Sequence, residues 1–364
     1  MKLAAAEVIP YALPFRRPYV TARGSLEQRE MVLLRLRSEE GVVGLGEAVP
    51  LSLRGGTALA TVARELEALT QLDELDEADV EAAAPTLSPP ARCAALTALL
   101  DLRSRRNEEP RLSFPADSGR KDNHPDLGEP GGVPCNATLV AGEPASVAIE
   151  ALRWADDGFT TFKLKLGTGH DVEQVRAVRD AVGPEARIRI DANTAWGVET
   201  AATVLGELEP FGIELAEQPV ANLAEMRALA GVTSIPLAAD ESVESCADAE
   251  RAAALGACRF TGVKLSKVGG PEEAVAIADV LPAYVSSALD GPVGIAAAAQ
   301  VARTVMASEH PERLDLAHGL ATQRLFAATI AAVECELRDG ELHPPEGPGL
   351  GVEIDEEALQ AHRL

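Results

Sequence analysis

Aromatic side chains are scarce in this sequence, at 3% of 364 residues, so core volume must come from Ala, Val, Leu and Ile. Cysteines are few, widely scattered and odd in number, and no two of them form a CxxC pair. This pattern excludes a disulfide framework and is typical of reduced thiols, most of them buried as small hydrophobic side chains. The five are Cys93, Cys135, Cys246, Cys258 and Cys335.

Long hydrophobic runs are also absent. No stretch reaches the roughly 18 apolar residues that a membrane span needs, so no membrane partner is expected. The segment Met1–Pro10 is interrupted by Glu7 and Pro10 before an apolar secretory core develops. With the reduced cysteines, these features predict a cytoplasmic protein.

Positive charge is in short supply, with 33 basic residues against 57 acidic ones and a net charge of −24. Such a balance disfavours binding to nucleic acid or to anionic membranes. An anionic substrate would need local positive charge that overcomes this background. The length of the chain allows a sizeable core and predicts two domains.

The stretch from Lys163 to Lys267 contains five short apolar runs, each ending in a charged residue, at intervals of 26, 26, 23 and 24 residues. Segments rich in Ala, Leu and Glu, with helical spacing, lie between the runs. A strand plus a helix repeated in this way predicts parallel strands, because parallel neighbours need a crossover helix. The charged residues are Lys165, Asp191, Glu217, Asp240 and Lys264.

In a (β/α)8 barrel the carboxyl ends of the strands form the active-site rim, so these five side chains are expected to meet there. Three carboxylates are hard oxygen donors that suit Mg²⁺ and leave positions for substrate oxygens. Lys165 and Lys264 fall on the second and sixth strands and would face each other across the mouth. A lysine beside another cation and a divalent metal has a pKa lowered toward ~7–8 and works as a general base.

Five motifs in this order resemble the signatures of the enolase superfamily, muconate lactonising subgroup. They are Lys163-Leu-Lys165, Asp191-Ala-Asn193, Glu217-Gln-Pro219, Asp240-Glu-Ser242 and Lys264-Leu-Ser-Lys267-Val-Gly-Gly270. Within the subgroup, residues 286–294 and 317–321 are most similar to the o-succinylbenzoate synthases of menaquinone biosynthesis. The resemblance implies a modified TIM-like (β/α)8 barrel with an α+β capping domain formed by the N-terminal region and the C-terminal tail.

The resemblance also implies catalytic roles. A small-molecule carboxylate substrate binds Mg²⁺, for which Mn²⁺ is a possible substitute, and a base removes the proton alpha to that carboxylate to give an enediolate. Lys165 is implied as the base, with Lys264 as a cation beside the enediolate or, in an epimerase, as the acid on the opposite face. The implied metal ligands are Asp191, Glu217 and Asp240.

Supporting residues follow from the same motifs. Lys163 lies two residues from Lys165 on the same strand face, and its charge is expected to lower the pKa of its neighbour. Asn193 and Glu241 are expected to orient the ligands or to bridge to Lys264. Lys267 is expected on the surface of the following loop.

Substrate-binding residues are expected on the loops. The resemblance implies that capping-domain loops, here expected at 16–24 and 51–56, close over the barrel mouth, which places Thr21 and Arg54 near the substrate. Ser286 and Ser287, at the end of the seventh strand, are expected to donate hydrogen bonds to a distal substrate carboxylate. Asp290 is the one acidic residue available there to grip a substrate ammonium.

The predicted domains are a capping domain at 1–132, a barrel at 133–320 and a C-terminal segment at 321–364 that returns to the capping domain. Antiparallel strands fill the first 50 residues, helices follow to Leu100, and 101–132 is an irregular insertion. The first barrel strand is predicted at Val133–Val140 and the eighth at Arg313–Ala317. The tail from Ala321 is predicted to begin with a helix.

Several functions are compatible with this pattern. The first is a carbon–oxygen lyase, an o-succinylbenzoate synthase. The alternatives are an N-acylamino acid racemase or a dipeptide epimerase, with a muconate cycloisomerase as a weaker option. A barrel retained only for binding is disfavoured, because all three carboxylates and both lysines are present. The sequence leaves the substrate open, and whether the protein is a homo-oligomer.

Overall fold

A computed structural model describes residues 2–21, 24–51, 55–71, 75–109, 112, 131–307 and 316–364 of the chain. The N-terminal part is an antiparallel sheet of three strands in the order β1-β2-β3, covered by three helices. The strands are β1 (Leu3–Thr21), β2 (Gly24–Ser38) and β3 (Val43–Ala48). The helices are α1 (Leu59–Thr70), α2 (Glu77–Ala83) and α3 (Pro89–Arg106). The predicted antiparallel strands are confirmed.

Helix α3 continues to Arg106, so the expectation of irregular chain from residue 101 is wrong for residues 101–106. The charged residues of this turn are paired in the structure. Arg103 and Arg106 form ion pairs with Glu77, and Arg105 pairs with the buried Asp101. Local composition therefore resembled a loop, while tertiary ion pairs to Glu77 and one pair within the helix, between Arg105 and Asp101, stabilise a helix. Residues 110–111 and 113–130 lie outside the described part of the chain.

Two glycines of β3 allow α3 to pack directly on the capping sheet. A Cβ atom on Gly46 would stand 1.9 Å from the carbonyl oxygen of Ala94, and one on Gly44 would stand 2.2 Å from that of Ala98. These contacts are with helix backbone, which cannot move aside as a flexible side chain can. Any larger residue must therefore push the helix off the sheet.

Gly46→Ala should lower the free energy of unfolding by about 3 kcal/mol, the upper part of the usual range for overpacking a core. Thermal or urea unfolding of the purified protein measures the change. Gly206→Ala is the matched control, since Gly206 lies on the exposed side of a helix with nothing within 4 Å of an added Cβ. That control should gain about 0.5–1 kcal/mol, and an equal response of both variants would contradict the packing argument.

The rest of the chain forms a parallel sheet of seven strands, β5 to β11, paired in sequence order and joined by helices. The short β4 (Val133–Pro134) precedes this sheet. The sheet strands are β5 (Ala137–Leu139), β6 (Thr161–Lys165), β7 (Arg187–Asp191), β8 (Ile213–Glu217), β9 (Leu237–Ala239), β10 (Phe260–Val263) and β11 (Ala283–Val285). The helices are α4 (Pro144–Asp156), α5 (Asp171–Val182), α6 (Val198–Leu208), α7 (Leu223–Ala230), α8 (Cys246–Leu255), α9 (Leu265–Val268), α10 (Pro271–Val280) and α11 (Pro292–Met306). The predicted TIM-like barrel with a capping domain is confirmed.

In the described residues, isolated β-bridges at His318 and Gly319 lie between the first and the seventh strand. His318 pairs in parallel with Cys135 at the first strand, and Gly319 pairs with Ser286 at the seventh. Their backbone hydrogen bonds, such as Asn136 N to His318 O at 2.9 Å and Ser287 N to Gly319 O at 2.9 Å, join the two edges of the sheet. Residues 313–315 of the strand predicted at Arg313–Ala317 lie outside the described residues, and the two described residues, Leu316 and Ala317, are not in a strand.

The C-terminal segment contacts both parts of the molecule. The predicted helix is wrong, since a short 3₁₀ turn at Ala321–Leu325 leads into strands. Strand β14 pairs with β4 beside the barrel, while the amide of Leu364 donates to Pro10 O of the capping sheet at 3.0 Å. The elements are β12 (Ala331–Val333), β13 (Glu336–Arg338), β14 (Glu341–His343), β15 (Glu353–Ile354) and α12 (Glu356–His362). No helix in the described ranges has the length and apolar character to cross a bilayer.

Glu47 of the capping sheet joins the two domains at the start of α11. Its carboxylate is buried and accepts hydrogen bonds from Gly291 N at 2.6 Å and from the Tyr11 hydroxyl at 2.9 Å. Burial, with a contribution from the Asp290 carboxylate, raises the pKa of Glu47 to about 7. The folded protein therefore holds a proton on Glu47 more tightly than the unfolded chain does.

Because of that proton, the stability of the wild type should fall as the pH rises from about 4.5 to about 7, by roughly 3 kcal/mol from this group alone. Glu47→Gln stays uncharged and should not show this loss. Urea unfolding of both proteins across the same pH range measures the difference between them. A difference that does not change with pH would contradict the raised pKa.

Candidate active site

The five charged residues of the repeat meet at one rim of the barrel. The parallel register places Lys165 beside Asp191 and Asp191 beside Glu217. Asp240 and Lys264 each follow the last residue of the next two strands. All five side chains are buried, and the three carboxylates are no more than 1% exposed. The sequence thus predicted which side chains the fold brings together.

Lysine ammonium groups hold all three carboxylates. The Nζ atom of Lys163 lies 2.6 Å from Glu217 Oε2 and 2.9 Å from Asp191 Oδ2, so one ammonium bridges two carboxylates. Lys165 Nζ lies 2.5 Å from the same Asp191 oxygen. Lys264 pairs in the same way with Asp240 Oδ2.

Lys267 belongs to this cluster, which corrects the expectation that it lies on the surface. It is 3% exposed, and its Nζ stands 3.0 Å from Asp240 Oδ1. Helix α9 begins directly after Lys264, and Lys267 lies in its first turn, close to Asp240. A usable signal was present in the sequence, since only six of the 33 basic residues are lysines and four of those six stand here. Lysine can give up its proton in a suitable environment, whereas arginine cannot.

With protein groups alone the pKa of Lys165 is not lowered, and the lowering expected beside a bound divalent cation stays a prediction. Burial lowers the pKa of this ammonium and so does Lys163, while Asp191 and, to a smaller extent, Tyr19 and Glu217 raise it, and the pKa ends above its ordinary value. For Asp191, burial raises the pKa while Lys163 and Lys165 lower it, and the net shift is downward. For Glu217, burial and the nearby Asp191 carboxylate raise the pKa.

Two amide side chains hold the rim loops together. Asn193 accepts a hydrogen bond from Lys165 Nζ at 2.9 Å and donates to Glu241 Oε1 at 3.2 Å, so it joins Lys165 to Glu241. Gln218 was not predicted as a site residue. Its Oε1 accepts from the amide of Asp240 at 2.9 Å, and its Nε2 donates to the Ser242 hydroxyl at 2.7 Å. These bonds fix the loops that follow the fourth and fifth strands.

The three carboxylates are the oxygen ligands that a hard divalent cation such as Mg²⁺ prefers, although each of them now forms an ion pair with a lysine. Within the described ranges, no three acidic, histidine or cysteine side chains stand where they would hold an ion as they are. The carboxylates are nevertheless fully buried oxygen donors, and Glu217 Oε1 is a buried oxygen with no hydrogen-bond partner. Buried polar atoms are nearly always paired. An unpaired carboxylate oxygen next to two further carboxylates is therefore a suitable ligand for a cation.

A cavity opens above the rim. Its polar wall consists of Lys163, Lys165, Asn193, Lys264, Ser286 and Ser287. Its apolar side includes Tyr19 and Leu51 of the capping domain together with Leu289. Tyr19, in strand β1, and Leu51 therefore bring the capping domain to the barrel mouth, whereas the predicted loop at 16–24 is strand as far as Thr21 and again from Gly24. Residues 22–23 and 52–54 lie outside the described residues.

The residues predicted to bind substrate have different positions. Ser286 and Ser287 line the cavity. Asp290 lies outside this lining, because its Oδ2 accepts hydrogen bonds from Ser287 Oγ at 2.7 Å and from Ala288 N at 2.6 Å. The side chain of Thr21 and the whole of Arg54 lie outside the described residues.

Arg29 and Tyr284 were not predicted from the sequence. Arg29 of β2 lines the cavity and donates to Ala288 O at 2.9 Å, so the capping sheet holds the loop after the seventh strand. Tyr284 is fully buried below the rim and donates to Glu217 Oε2 at 2.5 Å. His318, after the eighth position, accepts from Val285 N through Nδ1, and burial lowers its pKa to about 3, so it is an uncharged structural residue.

Comparisons with known proteins agree with the geometry. Residues 146–358 match the sequence profile described as "Enolase C-terminal domain-like", and residues 5–112 match that of the "Mandelate racemase / muconate lactonizing enzyme, N-terminal domain". The o-succinylbenzoate synthase of Thermobifida fusca (strain YX) is 37% identical over 62% of this chain and 69% of its own length. The N-succinylamino acid racemase of Amycolatopsis sp is 30% identical over 97% of this chain and 95% of its own.

A solved structure is similar over almost the whole chain. The dipeptide epimerase of Enterococcus faecalis V583, complexed with Mg and the dipeptide L-Leu-L-Tyr, superposes with a TM-score of 0.84 at 26% identity. The match covers 97% of this chain and 100% of that one.

Proposed function

This chain belongs to the enolase superfamily, and we propose that within it the protein is an o-succinylbenzoate synthase. In this proposal it removes the proton alpha to a substrate carboxylate with the help of Mg²⁺ and eliminates water. Its relatives are lyases and isomerases, and the chain is an enzyme. The observation that carries the proposal is the rim itself, where three buried carboxylates and two cavity-lining lysines, Lys165 and Lys264, stand together.

Asp191, Glu217 and Asp240 would hold the Mg²⁺ ion, and Mn²⁺ should substitute for it. When bound, the ion neutralises the substrate carboxylate and so makes the neighbouring carbon more acidic. The ammonium groups of Lys165 and Lys264, now paired with Asp191 and Asp240, would have to turn away from them. Lys165 and Lys264 already line the cavity, and once turned toward it they would face the substrate.

Lys165, as the neutral amine, takes the proton from the substrate carbon in this proposal; the positive charges of Lys163 and of a bound divalent ion would favour that neutral form. The C–H bond breaks, the electron pair stays on the substrate as an enediolate, and the ammonium group of Lys264 lies beside the charge that develops. Asn193 holds the Lys165 nitrogen at 2.9 Å and so limits its orientation. In the second half of the reaction the C–O bond breaks, and Lys165 returns its proton to the departing hydroxyl, which leaves as water.

The charge distribution supports an anionic substrate despite the net charge of −24. Four ammonium groups are concentrated at the rim, where three carboxylates alone would repel an anion. Buried charges are screened weakly, so this local balance outweighs distant surface acids. A small carboxylate is therefore the proposed partner.

The position of Asp290 favours a synthase over a dipeptide epimerase. An epimerase that grips a substrate ammonium needs carboxylates facing the cavity after the seventh strand. Here Asp290 is turned into its own loop and hydrogen bonded there. The similarity to the synthase of T. fusca, at 37% identity, supports the same choice.

An N-acylamino acid racemase is the second candidate, because Lys165 and Lys264 line the same cavity from opposite strands. One lysine would remove the proton, and the other would deliver a proton to the opposite face. The match to the racemase of Amycolatopsis sp over nearly the full chain supports this alternative.

Two assays on the purified, Mg²⁺-loaded enzyme separate the candidates. Incubation with the hydroxylated cyclohexadiene carboxylate should give the aromatic product, followed by absorbance, and no dehydration above background would refute the synthase. Incubation of an N-succinyl amino acid in D₂O, followed by proton NMR, should show deuterium at the alpha carbon only if the racemase activity is present.

A further inference from the structure

Tyr284 stands directly beneath the proposed metal site and holds one of its carboxylates. Its hydroxyl donates to Glu217 Oε2 at 2.5 Å, and Lys163 Nζ contacts the same oxygen at 2.6 Å. The other oxygen, Oε1, is buried and has no hydrogen-bond partner. Two donors from the second and seventh strands therefore fix the carboxylate in one orientation and leave its second oxygen available.

The ring of Tyr284 is itself held on two sides. The guanidinium carbon of Arg189 lies 5.1 Å from the ring centroid, in a cation–π contact inside the barrel. Arg189 is in turn fixed by an ion pair with Glu214 and by a bond to Ala317 O at 2.6 Å. On the other side, a Cβ atom on Gly262 would stand 3.1 Å from the Tyr284 hydroxyl oxygen. The absence of a side chain at Gly262 leaves room for the phenol.

We infer that Tyr284 is a positioning residue for the metal site: its hydroxyl holds Glu217 so that Oε1 is presented to the bound Mg²⁺ ion. The inference rests on the proposed function, since it requires Glu217 to be a metal ligand. Residues that hydrogen bond to metal ligands set ligand orientation, and their loss typically weakens metal affinity by about 10- to 100-fold.

Tyr284→Phe tests the inference, because it removes the hydroxyl and keeps the ring over Arg189. Tyr11→Phe is the matched control. Tyr11 is equally buried and also donates to a buried carboxylate, Glu47 Oε2 at 2.9 Å, but at the domain interface rather than the rim. Both variants lose one buried hydrogen bond and should lose comparable thermal stability.

Calorimetric titration of Mg²⁺ into the metal-free proteins is the readout. Tyr284→Phe should bind Mg²⁺ about 10- to 100-fold more weakly than the wild type, whereas Tyr11→Phe should titrate like the wild type. Wild-type affinity in Tyr284→Phe would overturn the inference and leave the proposed function standing. A wild type that binds no Mg²⁺ would overturn both.

A second variant covers the case in which Tyr284→Phe does not fold. Gly262→Ala retains the hydroxyl but presses on the phenol from 3.1–3.2 Å, so the ring must shift by a few tenths of an ångström. It should also weaken Mg²⁺ binding. Unchanged affinity in a folded Gly262→Ala protein would count against a role for the position of this ring.

Discussion

Lys165→Ala is expected to lower turnover by about 10²- to 10⁴-fold, the usual contribution of a positioned general base. The variant should still fold. Asp191, which loses its 2.5 Å contact with Lys165, keeps the Lys163 ammonium at 2.9 Å, so no buried carboxylate is left without a cation. Alpha-proton exchange in D₂O and product formation, both with saturating Mg²⁺, measure the effect.

Lys2→Ala is the control for that loss. Lys2 is exposed at the start of the capping sheet, far along the chain from the rim. It should retain wild-type turnover and Mg²⁺ affinity. Unchanged turnover in Lys165→Ala would remove Lys165 from the role of base, and an equal loss in Lys2→Ala would show that the assay reports folding rather than chemistry.

Glu217→Gln should weaken Mg²⁺ binding by at least about 100-fold. Loss of a residue that only hydrogen bonds to a metal ligand typically weakens metal affinity by about 10- to 100-fold, and loss of a ligand itself should cost at least as much. Turnover should be lost with it, as it should be in the wild type after chelation with EDTA until Mg²⁺ or Mn²⁺ is restored. The fold should tolerate the change, since Lys163 keeps its contact with Asp191 and the new amide oxygen can accept from Tyr284.

Glu209→Gln provides the matched comparison. Glu209 lies just before the same strand, β8, at the opposite end from the rim, and accepts from the exposed Ser234 hydroxyl at 2.6 Å. Its replacement should leave Mg²⁺ affinity and turnover unchanged. Normal Mg²⁺ affinity in Glu217→Gln would exclude Glu217 as a ligand.

The rim could be predicted because its signals are local in the sequence. Strand ends and helical spacing recur at nearly constant intervals, and parallel strands place their carboxyl ends at one edge. Asp191, Glu217 and Asp240 therefore had to come together once the barrel was recognised. The same reasoning gave the antiparallel capping strands, whereas the cover over the barrel mouth was implied by the family resemblance.

Other features depend on distances that the sequence does not contain. Asp191, which lies 2.5 Å from the Lys165 ammonium, helps to raise the pKa of Lys165. Spacing along the strand showed only Lys163, which lowers it. Besides the pair between Arg105 and Asp101 within the helix, helix α3 extends past residue 101 because Glu77 of α2 lies where Arg103 and Arg106 reach it. Such tertiary contacts override local composition.

The two strongest signals missed in the sequence were residues of types that are rare in this chain, a tyrosine and a lysine. The chain has only three tyrosines, and Tyr284 lies two residues before Ser286, on the same face of the seventh strand. The hydroxyl of a buried tyrosine usually has a hydrogen-bond partner, so this position was a candidate for a contact with a rim residue. The small number of lysines would have identified Lys267 in the same way, if residues 264–268 had been recognised as the end of a strand and the start of a helix.

The most direct test of the central claim is a crystal structure grown with Mn²⁺ and examined by anomalous scattering. A single metal peak coordinated by Asp191, Glu217 and Asp240, with Lys165 and Lys264 turned toward the cavity, is the expected result. A peak elsewhere, or carboxylates still held by their lysines at saturating Mn²⁺, would contradict it.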